Sequence, residues 1–203
     1  MRVKEMFLKK VFDKKFIIIL SIFVFLTLST KSNEHNSLEN ALIYFKTLDE
    51  FSSSFLQIQN NNISEGLIFI KGDRLRIEYT SPSNLIFVLK KNKGMYFNKE
   101  LEEVEYFNPQ NTIGQFLIDL FHNDKFLSES HTAKGEGYFY INKKIQLDSI
   151  DYLIKIYFEE RPFQLRKLEI INDVDFITFT IINPNHNPSL NDKIFSLANP
   201  LLS

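Results

Sequence analysis

The 203-residue chain contains no cysteine. That absence excludes a disulfide framework, a thiolate metal site and a cysteine nucleophile. It also excludes an acylated cysteine, so the chain is not itself a lipoprotein. Tryptophan is absent as well, whereas phenylalanine occurs 21 times. There is no Gly-x-Ser-x-Gly elbow, no phosphate-binding loop and no Gly-x-Gly-x-x-Gly fingerprint. The four histidines, His35, His122, His131 and His186, lack metal-ligand spacing. No metal, no cofactor and no catalytic residue is therefore expected. A periplasmic hydrolase acting at His122 or Asp119, with Asp124 as a second carboxylate, is the distant alternative.

What is present fits one domain with a sizeable core. The chain is 44% hydrophobic and 14% aromatic, which excludes a disordered class. Its first 15 residues carry Arg2, Lys4, Lys9, Lys10, Lys14 and Lys15 against only Glu5 and Asp13. Residues 16–28 are then uncharged and mainly apolar, a run shorter than the roughly 20 residues of a membrane span. Thr27 and Ser29, or Thr30 and Ser32, supply small residues at cleavage offsets. The pattern is that of a cleaved signal peptide over residues 1–32, followed by a single domain over residues 33–203. The leader holds 7 of the 24 basic residues and 2 of the 25 acidic ones, which leaves 17 against 23 and a net charge of −6. A nucleic-acid partner needs a basic face, so that class is excluded.

Periodicity predicts the elements. Leu38, Leu42, Phe45, Leu48, Phe51 and Phe55 recur every three or four residues, the stripe of an amphipathic helix capped by Ser37 and ended at residues 60–62. Residues 66–107 read as a meander of short strands separated by Gly, Pro, Asn, Ser and Lys. Two of these strands are apolar throughout, which predicts cover on both faces. Arg74, Arg76 and Glu78 alternate with Leu75, Ile77 and Tyr79, so the charged set reads as a solvated face. Ile113, Phe116, Leu117, Leu120 and Phe121 then lie on one face of a short helix. A further helical turn is expected at Phe126 and Leu127. Strands resume over residues 136–142, 144–148, 152–159, 165–172 and 176–182, and residues 192–197 close the chain. The fold class is α+β, mainly β: an incomplete, half-open antiparallel barrel of about ten to eleven strands with a helical lid. Such a barrel can enclose a cavity. Its expected lining is Phe69, Ile77, Tyr79, Leu85, Phe87 and Tyr96, with Ile68 and Val88 as alternatives to Phe69 and Phe87.

Four segments carry a family resemblance. They are Phe51-Ser-Ser-Ser-Phe55-Leu-Gln57, residues 66–82, Met95-Tyr-Phe-Asn98 with Leu101-Glu-Glu-Val104, and Arg161-Pro-Phe-Gln-Leu-Arg-Lys-Leu-Glu-Ile170 with the segments after it. In order and spacing they resemble the LolA family of periplasmic lipoprotein carriers. The resemblance implies a half-open barrel whose helices form a lid over a hydrophobic cavity. It implies a monomeric carrier in the periplasm of a Gram-negative bacterium. Its partners would be acylated lipoproteins, an inner-membrane lipoprotein-releasing ABC transporter and an outer-membrane receptor. It would hydrolyse nothing. On this reading Ile113, Phe116, Leu117, Leu120 and Phe121 form the lid. Lys71-Gly72 stands where the family usually has Arg-Pro, and the family arginine is associated with holding the lid closed. Lys71 and Arg74 are the candidates for that role here. A carrier or sensor of free lipid or glycolipid on the same scaffold is the alternative.

Overall fold

The computed structural model describes residues 29–202 apart from Asn111 and Asp124, with side chains from Asn36 onward. The expected leader falls almost wholly outside these residues, as does Asp124. The chain divides into a unit of residues 1–39 and a unit of residues 40–203. Helix α1 (Ser29–Lys46) runs through that boundary, and everything described below belongs to the second unit. Among the described residues no helix is long and apolar enough to cross a membrane.

Eleven antiparallel strands form one sheet: β1 (Glu50–Gln59), β2 (Asn62–Lys71), β3 (Arg74–Ser81), β4 (Leu85–Lys90), β5 (Lys93–Asn98), β6 (Glu103–Phe107), β7 (His131–Lys134), β8 (Tyr138–Leu147), β9 (Ile150–Glu160), β10 (Phe163–Ile171) and β11 (Phe176–Asn185). Their order is β6-β5-β4-β3-β2-β1-β11-β10-β9-β8-β7. The first meander and the last four strands are joined where β1 pairs with β11. Strands β6 and β7 are the two edges, so the barrel is half open, as the sequence predicts. Helix α2 (Ile113–His122) crosses between the two blocks of strands.

The expected first helix ends early. Its stripe continues through Phe51 and Phe55, but both lie on β1. The spacing Phe-Ser-Ser-Ser-Phe satisfies a period of two as well as four, so Phe51, Ser53 and Phe55 share one face of a strand. Consecutive serines compete with the helical backbone for hydrogen bonds, and pairing with both β2 and β11 decides the outcome. Helix α1 stops at Lys46, where the Thr47 hydroxyl donates to the Tyr44 carbonyl at 2.9 Å. Asn60 and Asn61, both at positive φ, form the two-residue hairpin turn that follows β1.

Two further expectations change. The break expected between the strands at residues 136–142 and 144–148 does not form, because Asn142, Lys143 and Lys144 all pair with β9 inside one continuous strand, β8. The turn sits instead at Asp148 and Ser149, again both at positive φ. Residues 125–129 form turns, not a helix.

Of the two doubly apolar strands, β4 is covered on both faces, as expected, whereas on β2 the outward-facing Leu67 stays exposed. On the outer face Ile86, Val88, Met95 and Phe97 bury Phe195, with Leu190, Ile194 and Leu197 packed around it. The closing segment, including the 3-10 turn Asp192–Phe195, thus lies across the back of the meander. On the inner face, one end of the half-barrel is filled by aromatic rings. Tyr44 and Phe45 of α1 pack edge-on against Phe158, and Phe139, Phe158 and Phe163 stack on one another. That plug leaves the other end for a site.

Candidate functional site

Register fixes which side chains face inward. Successive strands align Ser53, Ile68, Ile77, Phe87 and Tyr96 in one row. The next row holds Phe55, Gly66, Tyr79 and Leu85. The Phe55 ring crosses Gly66, where an added Cβ would come within 2.7 Å of Phe55 Cζ and 2.2 Å of the Glu78 carbonyl oxygen. A side chain at residue 66 would therefore displace the ring. With it absent, Phe55 makes edge contacts with Phe179 at 5.8 Å and Tyr79 at 5.3 Å. Tyr79 continues the chain to Phe87 at 6.0 Å, and Phe87 to Tyr96 at 5.1 Å. The result is a continuous aromatic floor.

Helix α2 is the roof. Its first turn is capped by Thr112, whose hydroxyl accepts from the Gln115 backbone N–H at 3.3 Å. Phe116, Leu117, Leu120 and Phe121 are buried along its lower face. A Cβ on Gly114 would lie 2.5 Å from Leu89 Cδ2, so the glycine lets the helix settle directly on β4. Between floor and roof lies a cavity of about 460 Å³. Ile77, Tyr79 and Phe87 line it from below, Ile113 and Leu117 from above, and Ile177 and Phe179 from β11. Gln57, Gln59 and Asp175 add polar groups to its lining. The size falls in the roughly 300–1,000 Å³ range of ligand pockets. A larger depression, about 580 Å³, lies at the ends of β8 to β10. Its wall carries Lys144, Asp151 and Asp173, so it offers an apolar chain little.

The structure thus brings Ile77, Tyr79, Phe87, Ile113 and Leu117 together around one space. Leu85 and Tyr96 share the inner face but lie outside the cavity lining. Phe116 meets Phe126, and Phe121 meets Phe45 and Phe51, so these anchor the helix within the core. Phe69 is a correction. It pairs with Arg76, one residue out of step with Ile77, and so belongs to the outer face with the Phe195 cluster. Of the alternatives, Ile68 faces inward and Val88 outward.

Lys71 and Arg74 are the second correction. The Lys71 ammonium pairs with Glu50 at 2.8 Å and Asp192 at 3.0 Å, and donates to the Leu190 carbonyl at 2.8 Å. Arg74 pairs with Asp192 at 3.1 Å and lies over the Phe195 ring. Glu50 also accepts from the Leu190 backbone N–H. These charges fasten the C-terminal segment to the back of the sheet, so their side chains do not latch α2. The hydrogen bond from Lys71 holds the Glu50 and Asp192 carboxyls below the usual carboxylate range. The face of Arg74, Arg76 and Glu78 is likewise covered, with Arg76 Nη1 donating to the Ile194 carbonyl at 2.8 Å. Arg76 pairs with Glu78 on its own strand.

The remaining titratable groups of α2 are held in helix contacts. The Asp119 carboxylate accepts from Gln115 Nε2 at 3.1 Å. His122 packs against Phe121, and burial lowers its pKa. Neither lines the cavity. Among the described residues no three His, Asp or Glu side chains gather as a metal site.

Sequence reasoning missed Leu89, Phe107, Ile177, Phe179 and the polar Gln57, Gln59 and Asp175. For β11 the signal was there: Thr178 and Thr180 mark one face, so Ile177 and Phe179 must occupy the other. Gln57 and Gln59 were hidden by assigning their segment to a helix.

A half-open antiparallel sheet curved around an apolar cavity, roofed by one amphipathic helix, is a carrier scaffold of the lipid- or lipoprotein-binding kind. Residues 46–198 match the family described as outer membrane lipoprotein carrier protein LolA, and the chain belongs to that family. It is 26% identical over 192 residues to the protein RP864 of Rickettsia prowazekii (strain Madrid E), covering 92% of this chain and 89% of that one. Among solved structures, a conserved protein of Thermus thermophilus has the same fold, with a TM-score of 0.51 at 7% identity over 78% of this chain and 92% of that chain. LprF from Mycobacterium bovis superposes with a TM-score of 0.43 at 10% identity, over 76% of this chain and 93% of that chain.

Proposed function

We propose that the protein carries lipoproteins across the periplasm of a Gram-negative bacterium. It accepts their acyl chains from an inner-membrane lipoprotein-releasing ABC transporter and delivers them to an outer-membrane receptor, working as a monomer and catalysing nothing. The observation that carries the reading is the apolar cavity between the aromatic floor and α2. Each buried acyl CH₂ is worth about 0.8 kcal/mol, so such chains do not leave a membrane without cover. A carrier must also release them. One short helix roofs the space, and a roof of few turns opens at lower cost than the sheet beneath it. The cavity as it stands has room for part of a lipoprotein's acyl load, so loading requires α2 to lift from Leu89.

The test is the cargo. Protein purified from the periplasm of its own host is extracted, and the bound molecule is identified by mass spectrometry. An acylated lipoprotein is the expected result. A free lipid or glycolipid would replace this reading with that of a lipid carrier on the same scaffold. An empty cavity, together with no displacement of a fluorescent acyl probe, would overturn both.

A further inference from the structure

We propose that the cavity sorts its ligands by head group: it takes amphiphiles whose head is neutral or cationic and donates a hydrogen bond, and it rejects carboxylate and phosphate heads. The proposal rests on the reading of this cavity as an acyl-chain site.

It comes from a run of polar groups set into the apolar wall. Tyr79 Oη donates to Gln57 Oε1 at 2.6 Å. Gln57 Nε2 donates to Gln59 Oε1 at 3.4 Å, and Gln59 Nε2 to Asp175 Oδ1 at 3.3 Å. Asn60 Nδ2 reaches the same Asp175 oxygen at 3.5 Å. A carboxylate only accepts, so Gln59 must turn its NH₂ toward Asp175. Its carbonyl then faces Gln57, whose own carbonyl faces the tyrosine. Every donor in the run therefore points one way, and Asp175 sets the direction. Burial pushes the Tyr79 phenol up to about 12, which keeps it a donor throughout the physiological range.

Asp175 is held in place before any ligand arrives. Asn172 Oδ1 accepts from the backbone N–H groups of Val174 at 2.8 Å and Asp175 at 2.6 Å, and the Asn172 N–H donates to the Asp175 carbonyl at 3.0 Å. Among the described lining residues Asp175 is the only charged one. The cavity thus has two unlike sides. Phe87 and Leu117 offer apolar contact to a chain, and the side that holds Gln59 and Asp175 offers negative charge and hydrogen-bond acceptors. A ligand lying along it brings its head to Asp175. An amide, hydroxyl or ammonium N–H or O–H finds an acceptor there. A carboxylate or phosphate meets a like charge at the half-buried Asp175.

The experiment uses purified full-length protein at neutral pH and a fluorescent acyl probe displaced by dodecylamine, dodecanamide or dodecanoate, each below its micelle concentration. The expected order is dodecylamine and dodecanamide ahead of dodecanoate by about tenfold in Kd. Asp175→Asn, which keeps the shape, is expected to bring the three within about twofold of one another. Dodecanoate binding as well as the others in the wild-type protein overturns the inference and leaves the carrier reading standing. An unchanged order in Asp175→Asn, with the variant's melting curve intact, also overturns it. If none of the three displaces the probe, the carrier reading falls and the inference falls with it.

Discussion

At Gly66 one methyl group separates an aromatic floor from a broken one. Gly66→Ala pushes a Cβ against the Glu78 carbonyl and the Phe55 ring, both of which are fixed by the sheet. Overpacking of this kind costs about 1–3 kcal/mol, and a lowered urea midpoint with an unchanged slope is the expected readout. Tyr79 makes a second prediction at the same scale. Its phenol is shifted from the ordinary 10.0 to about 12 by burial, so the folded state holds this proton more tightly than the unfolded chain. Stability contributed by the neutral phenol is then complete below pH 10.0 and lost as pH rises toward about 12. Urea midpoints measured across that window should fall more steeply for the wild-type protein than for Tyr79→Phe. The residues named from the sequence divide along the same line. Tyr79 and Ile77 were legible because Arg76 and Glu78 mark the opposite face. Phe69 was misplaced because its strand is apolar on both sides, and nothing within the strand says which side is in.

Helix α2 and the C-terminal segment are the two elements that cover the meander, one inside and one outside. Thr112→Ala removes the cap of α2, a loss of about 1 kcal/mol. If the helix opens as a unit, its amides should exchange about fivefold faster while those of β1 and β2 keep their rates. Equal acceleration throughout would mean that the roof and the sheet open only together. The C-terminal segment is fastened by Glu50, Lys71, Arg74 and Asp192. Asp192→Asn removes two of those pairs, so trypsin should cut after Lys193 sooner in the variant than in the wild-type protein. Glu50 titrates below its ordinary 4.5 because Lys71 holds its ionised form. Its contribution is present above 4.5 and lost as pH falls through the lower folded value. The difference in urea midpoint between the wild-type protein and Glu50→Gln should therefore close in acid. The helix at residues 113–122 could be read from its stripe alone. The clasp could not, because its partners are more than 100 residues apart.

For the whole molecule, binding in a cavity roofed by one helix must stabilise the folded chain. A ligand at 100 times its Kd adds about 2.7 kcal/mol, which appears as a rise in melting temperature that grows with ligand concentration. Leu117→Asp, which places a charge against the ligand's chain in the roof, should abolish that rise for the neutral dodecanamide. If the variant melts early, the comparison is made at matched fractions folded.

The sequence by itself determined the fold class, the meander and the apolar face of α2, because alternation and helical periodicity are local properties of the chain. It also determined what the chain lacks: cysteine, an excess of basic residues and a Gly-x-Ser-x-Gly motif. Tertiary structure decided three things. Pairing with β11 on one side and β2 on the other turned the Phe51–Phe55 segment from helix to strand, since its serine-rich spacing suits both periods. The path of residues 190–197 across the outer face decided that Lys71 and Arg74 hold the chain terminus, not the roof. The hairpin turns at Asn60 and Asn172 decided the polar side of the cavity. Gln59 and Asp175, 116 residues apart in sequence, meet only when those turns lie side by side.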